Sequence, residues 1–205
     1  EVSYRQGRDL MFLLCLFAII VGATIGAFVS RRVACQTRQL ATQALYDPLT
    51  GLANRCLFQN ELQEQIEKSR REGSAFGVLL MDLDRFKEVN DTLGHEVGDE
   101  LLREVGRRLN ETIRGEDMAA RLGGDEFAVL LSRADVDHAT QVVRKLLTVF
   151  EEPFWLEGQA LHVGASFGIA MYPEHGEDES ILLRRADVAM YVAKRSHQRC
   201  FVYTT

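Results

Sequence analysis

Two acids directly follow two glycines in Arg121-Leu122-Gly123-Gly124-Asp125-Glu126-Phe127, and the apolar run continues through Ala128, Val129, Leu130 and Leu131. The stretch reads as a β-hairpin with its acids at the turn. Glycines there let the chain turn sharply and let a bulky ligand approach the backbone closely. Carboxylates at such a turn are placed to hold a divalent cation beside a phosphate. A hairpin turn with solvated acids would carry the same letters, so the reading depends on what accompanies it.

A second acidic pair, Asp82-Leu83-Asp84, follows the apolar run Ala75 to Met81. That run predicts a buried central strand, and carboxylates at its exit face the sheet edge where α/β sites form. If strand and hairpin are neighbours, Asp82 and Asp125 meet. Two carboxylates, a backbone carbonyl and phosphate oxygens then make a magnesium site. A strand-end aspartate that caps the next turn is the plainer alternative. Lys87 can neutralise a phosphate. Asn90 and Asp99 can read a base edge, the aspartate accepting from the N1 and N2 donors of guanine and the asparagine addressing O6. Asp99 also reads as the N-cap of the helix that carries Leu101 and Leu102. Arg114 and Asp117 form an RxxD just before the hairpin. Alone this spacing is common by chance, although an arginine clamps guanine O6 and N7 while an aspartate takes the opposite edge.

The elements that must position these residues follow from periodicity. Leu57, Phe58, Leu62 and Ile66 predict a helix from about Cys56 to Arg71. Leu101, Leu102, Val105, Leu109 and Ile113 form a helical face, as do Val142, Val143, Leu146, Leu147 and Phe150. Leu161 to Tyr172 predicts a strand stopped by Pro173, Ile181 to Lys194 a helix, and Cys200 to Tyr203 a closing strand. This order implies an α/β domain, one sheet covered by helices, beginning at the turn-rich Tyr46 to Arg55.

The bulk numbers fit that picture. The chain has 205 residues, 46% hydrophobic and 26% charged, which is ordinary for a globular domain. A net charge of -6 argues against a nonspecific nucleic-acid binder, so no nucleic-acid partner is expected. Cys15, Cys35, Cys56 and Cys200 are scattered without CxxC spacing, as reduced thiols in a cytosolic domain would be.

Ahead of the domain, Leu10 to Val29 carries no charge and is long enough to span a bilayer as a helix. We expect a juxtamembrane segment over 1–9, a transmembrane helix over 10–30, a connecting helix or linker over 31–45 and the soluble domain over 46–205. Gly22 and Gly26 stand at GxxxG spacing, which fits close helix pairing as well as it fits the small residues usual in spans. A signal peptide is the alternative, but the run is long for one. Arg31 and Arg32 separate Ala34-Cys35 from the apolar run, against lipoprotein processing. Arg31, Arg32 and Arg38 outnumber Arg5 and Arg8, which favours a cytoplasmic C-terminal side. The chain reads as part of something longer.

Taken together, DPLTGLANR, MDLDRFKEVND, GHEVGDELL, RLGGDEFAVLL, SFGIAMYP and ADVAMYVAK, in this order from Asp47 to about Lys194, resemble the GGDEF family, the diguanylate cyclases of bacterial signalling. Several spaced blocks are far more specific than the five-letter signature. The resemblance implies a central, mainly antiparallel sheet surrounded by helices, like the palm of nucleotide cyclases and polymerases. It implies that two GTP molecules condense to cyclic di-GMP with release of two pyrophosphates, each protomer of a homodimer bringing one GTP. It further implies a bacterial inner-membrane protein with this domain in the cytoplasm.

Residue by residue, the resemblance gives Asp82, Asp125 and the Leu83 carbonyl to Mg2+ or Mn2+. It makes Asp125 and Glu126 catalytic, Asp125 helping to deprotonate the 3′-hydroxyl. It assigns GTP to Asn90, Asp99, Lys87, Phe86, Gly123, Gly124 and Lys194. Arg114 and Asp117 stand at the spacing of the family's inhibitory site, where cyclic di-GMP binds and restrains synthesis. One departure is plain: where relatives carry Gly-Arg after the AKxx element, this chain reads His197-Gln198, with Arg199 one residue late. Two other functions fit the same letters. One is a module that binds GTP or cyclic di-GMP without turnover, which usually lacks the signature acids. The other is a relay to a downstream domain such as a phosphodiesterase, to which the closing Phe201 to Thr205 resembles the linker.

Overall fold

The computed structural model describes residues 45–196 and 198–204. The expected segments 1–9 and 10–30, nearly all of 31–45, and His197 lie outside them. Among the described residues no helix is long and apolar enough to cross a membrane. In chain order the elements are β1 (Ala53–Asn54), α1 (Arg55–Glu72), β2 (Phe76–Leu83), α2 (Phe86–Leu93), α3 (His95–Thr112), β3 (Met118–Gly123), β4 (Glu126–Leu131), α4 (Val136–Glu151), β5 (Phe154–Leu156), β6 (Gln159–Leu161), β7 (Ala165–Tyr172), α5 (Glu179–Ser196) and β8 (Cys200–Val202).

Six strands form one sheet in the order β1-β3-β4-β2-β7-β8, and β5 pairs with β6 alone. The three inner pairings are antiparallel and the two outermost, β1 with β3 and β7 with β8, are parallel. The sheet is therefore mixed, with an antiparallel centre. β2 lies in the middle, and its apolar run is what a strand covered on both faces requires.

Side-chain alternation divides β2 between two cores. Leu79, Met81 and Leu83 face α2, α3 and α4, where Phe86, Leu101, Leu109, Val143 and Phe150 close the layer. Phe76, Val78 and Leu80 face Phe58 and Leu62 of α1 and Leu182, Ala186 and Met190 of α5. The result is a three-layer sandwich. Local chemistry fixes the helix ends. The Asn54 side chain accepts from the Leu57 N–H at 3.0 Å to start α1, and Gly73, at φ 67°, ends it. The Asp135 carboxylate accepts from the His138 N–H at 2.8 Å to start α4.

The sequence reading differs in places. β2 runs two residues past Met81, so Asp82 and Leu83 are strand residues, paired with Ser166 and Ala165 of β7. The strand expected over Leu161 to Tyr172 is broken between β6 and β7 at His162 to Gly164, where the Gly164 carbonyl turns to accept from the Asp84 N–H at 2.8 Å. β1, α2 and the β5–β6 hairpin were not anticipated.

Candidate active site at the end of the central strand

Asp82 shares the β2 face of Leu80, toward α5, and sits directly across from Glu126 of β4. Lys194, near the end of α5, places its Nζ 2.6 Å from Asp82 Oδ1. α5 comes this close because β7 has Gly168 beneath it: a β-carbon there would overlap the Ala186 carbonyl and the Met190 N. Asp125 occupies the β3–β4 turn, and its carbonyl accepts from the Leu83 N–H at 3.4 Å. The hairpin and β2 are thus neighbours, which brings Asp82, Leu83, Asp125, Glu126 and Lys194 to one end of the sheet.

The charges there are unbalanced. Burial pushes the Asp82 carboxyl above its ordinary value; the Lys194 hydrogen bond and charge oppose this, and Asp125 and Asp84 add to it. Burial disfavours the Lys194 ammonium, yet the bond to Asp82 and the charges of Asp82, Asp84 and Asp125 hold its pKa above the usual range. Three carboxylates around one ammonium leave negative charge in excess, and all the donors are hard oxygens. That suits Mg2+ or Mn2+. Among the described residues no three acidic, histidine or cysteine side chains converge on one point. Asp82, Asp125 and the Leu83 carbonyl therefore make a partial set that substrate oxygens would have to complete.

The turn is clamped from behind. Gly124 has φ 55° and Gly123 φ 142°, conformations that favour glycine. Arg121 donates to the Gly124 carbonyl from Nε at 3.0 Å and Nη2 at 2.8 Å, and from Nη1 to Asp47 Oδ1 at 3.1 Å. Burial works against the Asp47 charge, but the Thr50 hydroxyl and N–H and the Arg121 guanidinium outweigh it and hold the carboxyl below its usual range. Arg55 reaches the Leu122 carbonyl at 3.1 Å and Glu126 at 3.5 Å. Glu126 is thus engaged from the α1 side, cross-strand from Asp82.

The residues expected to read a base edge stand on α2 and α3. Asn90 is half-buried on α2, and Asp99 is exposed on α3. Asp99 is not the N-cap that the sequence also suggested: α3 begins four residues earlier, at His95, and Gly94 caps it. Phe86 is buried and Lys87 exposed in the first turn of α2. Arg85 precedes them at φ 59°, a left-handed conformation uncommon outside glycine that swings the chain from β2 into α2.

Arg199, the residue one place late, donates to Glu151 of α4 at 3.3 Å and lines a cleft of about 670 Å³ with Asp84, Arg85 and His162. Its guanidinium is engaged away from the Lys194–Asp82 pair. Arg114 and Asp117 lie before β3, at the end of the hairpin opposite the turn, about 20 Å from Asp125 at strand rise. Arg114 is exposed. Asp117 Oδ1 accepts from the Ser132 N–H at 3.0 Å, whereas Oδ2 is buried with no partner among the described residues. Burial pushes that carboxyl up, against the Ser132 and Arg114 N–H groups.

Sequence reasoning missed Arg55, Arg121 and the Asp84 link, in which the Ser166 hydroxyl donates to Asp84 Oδ1 at 2.8 Å. It also missed Gly98 and Gly168, whose only sequence signal is a glycine inside a helical or a strand pattern.

The family model described as "Diguanylate cyclase, GGDEF domain" matches residues 44–200. The chain is 37% identical over 195 residues to the bifunctional diguanylate cyclase/cyclic di-GMP phosphodiesterase MucR of Pseudomonas aeruginosa, covering 90% of this chain and 28% of MucR. It is 40% identical over 166 residues to the diguanylate cyclase TpbB of the same organism, covering 80% of this chain and 38% of TpbB. It thus spans well under half the length of either relative. The coiled coil and GGDEF domain of DgcB from Caulobacter crescentus, solved in complex with c-di-GMP, superposes with a TM-score of 0.79 at 26% identity, over 93% of this chain and 99% of that one.

Proposed function

The chain belongs to the GGDEF domain family, and from that premise we propose that it is a diguanylate cyclase. It joins two GTP molecules into cyclic di-GMP and releases two pyrophosphates, each 3′-hydroxyl attacking the α-phosphate of the other nucleotide across a homodimer. The observation that carries this reading is the convergence of Asp82, Asp125, Glu126 and Lys194 at the end of β2.

Asn90 and Asp99 hold the guanine edge, while Lys87 and the first turn of α2 face the phosphates. Gly123 and Gly124 let the nucleotide lie against the turn backbone. Lys194 exchanges its bond to Asp82 for a phosphate oxygen. Asp125 accepts the proton of the 3′-hydroxyl, with Glu126 beside it. A divalent ion bound by Asp82, Asp125 and the Leu83 carbonyl would offset charge developing on the α-phosphate. Positioning supplies most of the rate. Arg114 and Asp117 form the product-inhibitory site, and residues 10–30 tether the domain to the bacterial inner membrane on its cytoplasmic side.

The test is the full chain in detergent with magnesium and GTP, following cyclic di-GMP and pyrophosphate together. The expected result is product from the parent, none from Asp125→Ala, and longer synthesis from Arg114→Ala. GTP binding without product would replace this reading with a non-catalytic regulatory module.

A further inference from the structure

A groove of about 360 Å³ runs between α1 and α5, over the sheet face that carries Leu80. It lies across the sheet from α2 and α3, and so from Asn90 and Asp99. The floor is apolar: Leu80 of β2, Leu122 of β3, and Leu183 and Met190 of α5. The rim is charged. Arg184 and Asp187, three residues apart on α5, stand on it, and both are exposed. That spacing sets their β-carbons about 5–6 Å apart, close enough for the side chains to pair. They do not pair, and neither side chain makes a hydrogen bond or ion pair among the described residues. From α1, Arg55 donates to the Leu122 carbonyl at 3.1 Å and reaches Glu126 at 3.5 Å, and both Arg55 and Glu126 line the groove.

A ligand-sized hollow with an apolar floor and a few placed polar groups suits a flat ring. Guanine answers both charges on the rim. Its O6 and N7 accept from an arginine, and its N1–H and N2–H donate to a carboxylate. Adenine fails there, because it sets the N1 lone pair against the aspartate. The Arg55 guanidinium supplies a cation shaped for phosphate.

We propose that this groove binds a guanine nucleotide, at a site separate from Asn90 and Asp99. It is also separate from Arg114 and Asp117, which lie at the far end of the hairpin from Leu122 and Glu126. The base rests on the four apolar side chains, Arg184 and Asp187 hold its edges, and Arg55 meets its phosphate. In doing so Arg55 leaves Glu126, so occupancy of the groove reaches the acid that stands cross-strand from Asp82. Binding here does not depend on turnover elsewhere in the chain. The occupant is either free GTP or cyclic di-GMP, which share the guanine and the phosphate.

The experiment uses the full chain in detergent with EDTA, so that no nucleotide is consumed. It is photolysed with 8-azido-GTP and the labelled peptides are mapped. Label is expected on peptides covering 122–127 and 183–190. Asp187→Asn and Arg184→Met should each weaken that label by roughly tenfold while keeping the parent's melting temperature. 8-Azido-ATP should label the same peptides at least about tenfold less. Unlabelled GTP and cyclic di-GMP are the two competitors, and displacement by either upholds the site and names its occupant. That nucleotide should compete about tenfold better than guanosine, which offers nothing to Arg55. No label on these peptides, label indifferent to both substitutions, or equal labelling by the ATP analogue would overturn the proposal. So would displacement by neither competitor, or guanosine as effective as the nucleotide. Label on α2 and α3 alone would overturn the groove and leave the substrate site standing; label on the groove alone would uphold the groove and remove Asn90 and Asp99 from base recognition.

Discussion

The side-chain oxygen of Asn90 rests against the backbone of Gly98, so that any β-carbon at position 98 would overlap it. This contact joins α2 to the first turn of α3 and sets Asn90 relative to Asp99, the next residue along. Gly98→Ala is accordingly informative. Alanine gains about 1 kcal/mol of helix propensity over glycine, which offsets part of the overlap in the stability balance. The displaced Asn90 has no such offset. We expect affinity for a non-hydrolysable GTP analogue to fall about tenfold, or about 1.4 kcal/mol, while the melting temperature changes little. Calorimetric titration beside a thermal melt separates the two effects, and unchanged affinity would remove Asn90 from base recognition.

Lys194→Met removes an ammonium that faces Asp82, Asp84 and Asp125. If Lys194 acts on phosphates in the transition state, synthesis should drop by roughly 10²–10³ with a smaller change in KM, as for loss of a preorganised donor. Steady-state kinetics decide this; a rise in KM alone would make Lys194 a ground-state binder.

Gly168→Ala acts from the other side of the same pair. The new methyl would meet backbone atoms of Ala186 and Met190, which cannot rotate away. Separating α5 from β7 should cost about 3 kcal/mol, roughly 6–12 °C in melting temperature, and should impair synthesis at temperatures where the domain is still folded. A variant with the parent's melting point would show that α5 is not seated on this glycine.

Acid stability has a traceable source on α3. The Arg107 guanidinium, with burial opposing and Arg108 adding, pulls the Glu104 carboxyl down to about 2. A carboxyl depressed in the folded state stabilises fully above its unfolded value near 4.5, and that contribution is lost as pH falls through its folded value. Between about pH 4.5 and 2, Glu104→Gln should therefore show a flatter fall in melting temperature than the parent. Parallel curves over that interval would mean that Glu104 titrates alike in both states.

Patterns that repeat were legible in the sequence, and contacts between distant segments were not. The run Ala75 to Met81 announced β2, and Gly123-Gly124 announced the turn, because each is a local signal of several residues. The site followed as far as Asp82 and Asp125 could be inferred to meet. β1 has two residues and β5 and β6 three each, too short for a period of two to be seen. α2 escaped notice because a left-handed Arg85 starts it, with no side-chain cap to read. Asp99 looked like an N-cap because the apolar face begins at Leu101, although the helix opens a turn earlier with polar residues. Arg121 was visible as a letter, but its partner Asp47 lies 74 positions away.

The ion pair between Lys194 and Asp82 links positions 112 apart. On a ribosome adding about 5–20 residues per second, roughly 6–22 seconds pass between the synthesis of one and the other. Through that interval the acidic end of β2 exists without its cation, and β7, α5 and β8 have not yet closed the sheet. A chain that stops before α5 therefore lacks the cation of this pair. On the cyclase reading proposed above, synthesis of cyclic di-GMP waits until α5 has been made and seated against β7.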